Sequence, residues 1–215
     1  QMAASPQRFR GIRHRAAWAE PPVVARRTAG LEHLLLDPVF RRGYAHLRTY
    51  GLSFEGWVYH THIADLADLA GAFPAIAIVF NRLGGPIGVG PYADRRHEVF
   101  ANPAPAVAEL AKHQNVVAKV GGIQMVVNGY GWHERDRPPT SDELLEANRE
   151  WYDYMFEQFG PDRCMFESNF PVDKLSCSYT VLWNQFKKLT ERFSADERTA
   201  MFHDTAKRVY RLPQV

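Results

Sequence analysis

Residues 76–80 read IAIVF and residues 116–120 read VVAKV, and each run is bracketed by segments with helical periodicity. A short run that is apolar on both faces must be covered on both, which suits a parallel strand with helices on one side and further packing on the other. Three more strand-like runs share this setting: residues 9–13 (FRGIR), 54–60 (FEGWVYH) and 163–166 (RCMF). Between them the signals are helical. Asp37 can cap a helix with Pro38 in its first turn, a Phe40, Tyr44 and Leu47 stripe, and Gly51 as its stop. A second helix covers residues 62–72, ahead of Pro74, and a third covers 105–113. Thr140 with Glu143 forms a capping box for a helix to Phe159, which Gly160 and Pro161 terminate. Two last helices cover residues 179–192 and residues 194–210, the second opened by Ser194 with Glu197. The order βαβαβαβαβαα predicts a parallel sheet with right-handed crossovers.

Composition narrows the partners. Of 215 residues, 46% are apolar and 23% charged, enough for one sizeable core. Lys and Arg total 26 against 24 acids, with no run of five like charges, so a broad nucleic-acid face is not expected, whereas a small anionic ligand fits. Cys164 and Cys177 lack CxxC spacing, and Cys164 sits in an apolar run where a free thiol is ordinary; a reducing, cytoplasmic setting is expected. No apolar stretch approaches the ~18 residues of a membrane span, and residues 1–15 show no charged-then-apolar leader. Residues 124–139, rich in Gly and aromatics, form a candidate lid.

Polar residues close these strands, most densely in NRLGGP (residues 81–86) and FESNFPVD (residues 166–173). With FRGIRH (9–14), WVYH (57–60), NRLGGPIGVGPY (81–92), NVVAKVGG (115–122) and RCMFESNFPVDK (163–174), the chain resembles the amidohydrolase-related family of metal-dependent and lactonase-type TIM-barrel hydrolases. The resemblance covers essentially the whole chain. It implies a (β/α)8 TIM-barrel type of which only about the last five βα units are present, as one domain over residues 1–215. The family's first three strands, with their His-x-His pair, have no counterpart here. Three βα units of about 30 residues would add roughly 90, which gives an ordinary barrel length. The expectation is a fragment whose open edge is covered by absent residues or by a second copy in a homo-oligomer.

The resemblance also assigns roles. His60 falls where the family has a metal ligand or substrate contact; the residue alone also allows a strand-end histidine bonded to a backbone carbonyl. Strand alternation would put Val58, Gly56 and Phe54 on His60's face and turn Tyr59 and Trp57 toward helices. His62 is read as a helix-start residue. Arg82 replaces the family's usual histidine, and a guanidinium has no lone pair for a metal but can hold a carboxylate bidentately. A solvated or carboxylate-paired loop arginine is the alternative. Asn169 replaces the aspartate that ligates metal and takes the proton of water; an amide can only position water or coordinate weakly. Glu167, two residues earlier, could supply the missing carboxylate with a pKa raised by burial, or could instead be neutralised by Arg10, Arg13 or Lys119. Asp173 is a loop cap or a catalytic group. Arg13 and His14 correspond to positions where the lactonase branch holds acidic substrates. Lys119, alone in VVAKV, should face a carboxylate. His133 and Glu134 lie on the loop with Tyr130 and Trp132, which close over a ring-shaped substrate or fasten the loop.

Hydrolysis of a small cyclic, carboxylated molecule such as a lactone is the expected reaction. Arg13, Arg82 and Lys119 would bind anionic groups and the carbonyl oxygen, and Glu167 or His60 would handle the water proton. Two alternatives stand beside it: metal-dependent decarboxylation of an aromatic or unsaturated acid, and a non-catalytic remnant. A zinc-type divalent cation is implied by the resemblance, yet Arg82 and Asn169 leave the ligand set incomplete, so this chain by itself is expected to hold no tight catalytic zinc. Arg13, His60, Arg82 and Asn169 are expected to converge on one cavity.

Overall fold

The computed structural model describes residues 8–20 and 31–213; residues 1–7, part of the stretch read for a leader, lie outside them. Five strands, β1 (Gly11–Arg15), β2 (Ser53–Trp57), β3 (Ile78–Asn81), β4 (Val116–Gly121) and β5 (Cys164–Glu167), form one sheet in the order β1-β2-β3-β4-β5. Every neighbouring pair is parallel, so the fold is mixed α/β and all carboxyl ends share one edge. Helices α1 (Pro38–Thr49), α2 (Ile63–Ala72), α3 (Arg96–Ala101), α4 (Ala104–Lys112), α5 (Ser141–Phe159) and α6 (Tyr179–Leu189) connect or follow the strands. The short α3 was not anticipated. The expected last helix is present in two pieces, α7 (Ala195–Thr199) and α8 (Thr205–Tyr210), joined by a wider π turn at Ala200–Asp204.

Local chemistry explains the boundaries. The Asp37 carboxylate accepts from the Phe40 amide at 2.8 Å, and Thr140–Glu143 and Ser194–Glu197 form reciprocal boxes. Strand β2 ends at Trp57, one residue beyond Gly56, its last position in register with β3, and His60–His62 turn as a single 3-10 segment.

The sheet has two unlike faces. Phe54, Ile78, Phe80, Val116, Ala118, Val120 and Cys164 pack with Leu66, Leu110, Tyr152, Met155, Phe159 and Phe186 in one buried cluster. Each such large side chain contributes about 1.5 to 3 kcal/mol over leaving it in water. A methyl group on Gly56 would lie 2.9 Å from Leu66 Cδ1, which places Gly56 on the helical side too. The opposite parity carries charge, with Arg13 in register with Glu55, Asn81 with Lys119, and Gly121 with Glu167. This reverses the expected facing of β2. Phe54, Gly56 and Val58 serve the helices, while Trp57 and Tyr59 join Ala17, Ala19, Ile87, Met125 and Val127 in a second cluster. The strand ends at Trp57 and His60 lies in the following turn, so the period of two does not link the facing of β2 to that of His60.

Candidate functional site

Parallel pairing puts the segments after β2, β3, β4 and β5 along one edge, where α/β sheets bind ligands. Two of these segments hold non-glycine residues in the left-handed region: Arg82 (φ 56) and Leu83 (φ 51) after β3, and Asn169 (φ 54) after β5. Such conformations persist only where surrounding contacts enforce them. Glycines after β4 let the two segments meet. A Cβ on Gly121 would fall 2.1 Å from the Glu167 carbonyl oxygen, and one on Gly122 would strike Arg82 Cγ at 2.9 Å and Asn169 Cβ at 3.3 Å. Arg82 and Asn169 therefore share one spot above Gly122. The guanidinium of Arg82 also lies over the Trp57 ring at 4.8 Å, meets Met125 Sδ at 3.7 Å, and has its Nε 3.8 Å from Glu167 Oε1.

Deeper in the same face Lys119 meets a carboxylate, as expected of it, but the partner is Glu55, which the sequence does not single out. Lys119 Nζ donates to both Glu55 oxygens at 3.1 and 3.2 Å, the Tyr210 hydroxyl of α8 donates to Glu55, and the Lys119 ammonium lies 5.2 Å from the Tyr210 ring centre. Burial works to raise the Glu55 pKa, but Lys119, the Tyr210 hydroxyl and Arg13 outweigh it and hold the carboxyl below its ordinary value. Glu167 moves the other way. Burial raises its pKa, and the charges of Lys119, Arg82 and Arg13 only partly compensate. Two carboxylates on one face are thus driven apart, the pattern by which a site separates a fixed anion from a proton carrier.

Asn169 is held in turn. Its amide nitrogen donates to Asp173 Oδ1 at 2.5 Å, while the Gln124 amide donates to Asp173 Oδ2 at 3.3 Å. The Gln124 carbonyl accepts from Ser176 Oγ at 2.5 Å, and its side chain accepts from Trp132 Nε1 at 3.0 Å. Asp173 is fully buried, and burial pushes its carboxyl up to about 7 despite the two donors. A carboxyl raised in the native state stabilises the fold below its unfolded pKa and loses that contribution as pH rises through the folded one. Stability should therefore fall between about pH 4 and pH 7 by roughly 1 to 3 kcal/mol, after local relaxation, and level off above. Urea melts across this window should show the slope in the native chain and lose it in Asp173→Asn; an unchanged slope in that variant would assign it to another group.

The remaining residues keep other company. Arg13 is exposed on the charged face of β1, one position before His14, whose ring packs edge-on against Phe40 of α1 at 5.7 Å. His133 lies 3.6 Å from Glu134 and shares a cleft with Trp132, Arg135, Lys174 and Ser178. Its loop is fastened by stacking: Arg96 over Tyr130 at 3.8 Å, Tyr130 on Trp132 at 5.6 Å, and Arg135 over Trp132 at 5.2 Å. His60 is buried, and its Nδ1 accepts from the Ile87 amide at 3.3 Å while Tyr92 meets its ring edge-on at 4.9 Å. Burial first, and the neighbouring His62 second, push its pKa down to about 4, so the ring is neutral near pH 7.

That hydrogen bond decides how a metal would fit. A backbone amide can only donate, so neutral His60 carries its proton on Nε2 and offers no second lone pair to a cation. With a guanidinium at Arg82 and an amide at Asn169, the strand-end residues of this chain do not make a zinc set. A different trio, Glu32, His33 and His62, brings one ligating atom from each residue within 4.8 Å of the others.

Carboxylate, guanidinium and imidazole groups thus lie along the carboxyl edge of a parallel α/β sheet, the edge at which such folds bind small molecules. The chain belongs to the amidohydrolase family, whose model matches residues 3–212. It is 36% identical over 175 residues to an uncharacterized protein of Sinorhizobium fredii, covering 81% of this chain and 52% of that one. To L-fucono-1,5-lactonase of Burkholderia multivorans it is 31% identical over 179 residues, covering 83% of this chain and 57% of the lactonase. The chain thus spans about half the length of these relatives. Among solved structures it is similar to an amidohydrolase of Burkholderia multivorans with bound HEPES, with TM-score 0.80, 26% identity, and 99% and 68% of the two chains covered. A form of that enzyme with bound zinc gives TM-score 0.76 and 27% identity over 95% and 65%. No helix among the described residues is long and apolar enough to cross a membrane, and Cys164 and Cys177 are buried free thiols.

Proposed function

We propose that the chain belongs to a hydrolase of small lactones, carrying the carboxyl-terminal section of a (β/α)8 barrel. The observation that carries this reading is the Arg82, Glu167 and Asn169 group, in which a cation, a carboxyl of raised pKa and an amide converge at one strand edge. The 31% identity to a 1,5-lactonase supports the choice of substrate. In this scheme Arg82 faces the carbonyl or carboxylate oxygen of the ring, where charge develops as water adds. Asn169, held by Asp173, orients the water. Glu167 takes its proton and returns it to the ring oxygen as the acyl–oxygen bond breaks, giving the open hydroxy acid. Lys119 is occupied by Glu55 and serves the site by fixing the field around Glu167. His60, as an Nε2 donor, hydrogen-bonds the substrate from the far side, and Arg13 supplies further positive potential.

The test is a panel of five- and six-membered sugar lactones followed by proton release. Hydrolysis above the spontaneous rate is expected, with Arg82→Met raising KM or lowering kcat at least tenfold, as for loss of one charge-assisted contact. Rates equal to buffer for every lactone would remove the proposal.

A further inference from the structure

Outside the Arg82 group, where the turn Leu34–Leu36 packs on α2, three ligating side chains approach one another. His62 Nε2 lies 4.0 Å from Glu32 Oε1. Both imidazoles are held from behind. Asp65 Oδ2 is 2.9 Å from His33 Nδ1, and because an ionised carboxylate can only accept, His33 carries its proton there and presents a bare Nε2. The Thr61 hydroxyl is 2.7 Å from His62 Nδ1 and can fix that ring the same way. Ligating histidines are characteristically oriented by a carboxylate or hydroxyl on the far nitrogen. His62 and Asp65 are buried, and Trp18 meets the His62 ring edge-on at 5.9 Å, so half of the arrangement is preset by the fold.

We propose that Glu32, His33 and His62 form a divalent-cation site of zinc type, oriented by Asp65 and Thr61 and separate from the strand-end group. Zinc takes imidazole nitrogen and carboxylate oxygen at about 2.0 to 2.2 Å in a tetrahedron, so ligand atoms end about 3.5 Å apart. The exposed Glu32 and His33 side chains supply the required closing movement. Charge agrees as well, since two carboxylates and two neutral imidazoles balance a dication. A fourth position faces solvent. Binding would pin the segment ahead of α1 to the start of α2. None of this depends on lactone hydrolysis.

Zinc chloride titrated calorimetrically into the chelator-stripped chain, with metal content measured after dialysis, tests it. One equivalent is expected to bind with submicromolar affinity and to raise the melting temperature. Glu32→Gln and His33→Gln should each weaken binding at least tenfold, Glu32→Gln without shifting the metal-free melt, and Asp65→Asn should weaken it about 10- to 100-fold. His60→Ala should leave affinity unchanged. Absence of binding, or binding indifferent to Glu32→Gln and His33→Gln, overturns the proposal. So does zinc lost in His60→Ala but kept in His33→Gln, which would move the cation to the strand ends.

Discussion

Glu167→Gln is expected to cut lactone turnover by about 10² to 10⁴, the usual cost of a lost general base, while the melting temperature stays near native. The reason lies in the geometry of its pairing. Arg82 Nε stands 3.8 Å from Glu167 Oε1, beyond hydrogen-bond range, and that oxygen has no hydrogen-bond partner among the described residues. Burial meanwhile raises the carboxyl pKa, so the neutral form is accessible and an isosteric amide replaces it at little cost. A tight structural pair predicts the reverse, because stripping one partner from a buried pair costs roughly 3 to 5 kcal/mol and leaves the rate of the folded enzyme alone. Turnover and thermal stability measured on the same variant separate the two. Native turnover with a large fall in melting temperature would take Glu167 out of the mechanism.

The five strands and their parallel order were legible because fully apolar runs between capped helices have few other solutions. The Asp37, Thr140 and Ser194 caps fall where side-chain chemistry demands. Strand ends were harder. A run such as FEGWVYH does not mark where pairing stops, so Val58 to His60 were read as strand and the faces of β2 were inverted. That inversion hid Glu55. It is a lone carboxylate in an apolar run, as Lys119 is a lone ammonium in another, and the cost of burying either unpaired points to the other as its partner. The clustering of Arg82, Glu167 and Asn169 could be guessed from strand ends, but the Gly121 and Gly122 contacts that bring them together depend on backbone approach. The support of Asn169 by Asp173, and the tautomer imposed on His60 by the Ile87 amide, arise from loops whose paths no local pattern encodes. The trio at Glu32, His33 and His62 was invisible for the same reason: it joins residues about thirty positions apart through an irregular segment.

Lys119→Met should be the most destabilising conservative change on the charged face, lowering unfolding free energy by roughly 3 to 5 kcal/mol. Methionine matches the lysine stem, so little packing is lost. What remains is Glu55, about 15% exposed at its side chain, with its two shortest charged contacts gone and only the Tyr210 hydroxyl and the field of Arg13 to support it. Glu55→Gln should cost less, because an amide keeps an acceptor for Tyr210 while Lys119 retains its position over the ring. The double variant should recover part of the loss, since a neutral amide no longer needs the ammonium, giving a coupling energy of about 1 to 3 kcal/mol between the two sites. Urea unfolding of the four proteins measures that coupling directly. The pairing also decides what Lys119 does in catalysis: if it is committed to Glu55, the folded fraction of Lys119→Met should keep its KM, with any change in kcat tracing to the altered field at Glu167. A KM raised tenfold or more with little loss of stability would instead place the ammonium on the substrate and make the contact with Glu55 a resting state that substrate displaces.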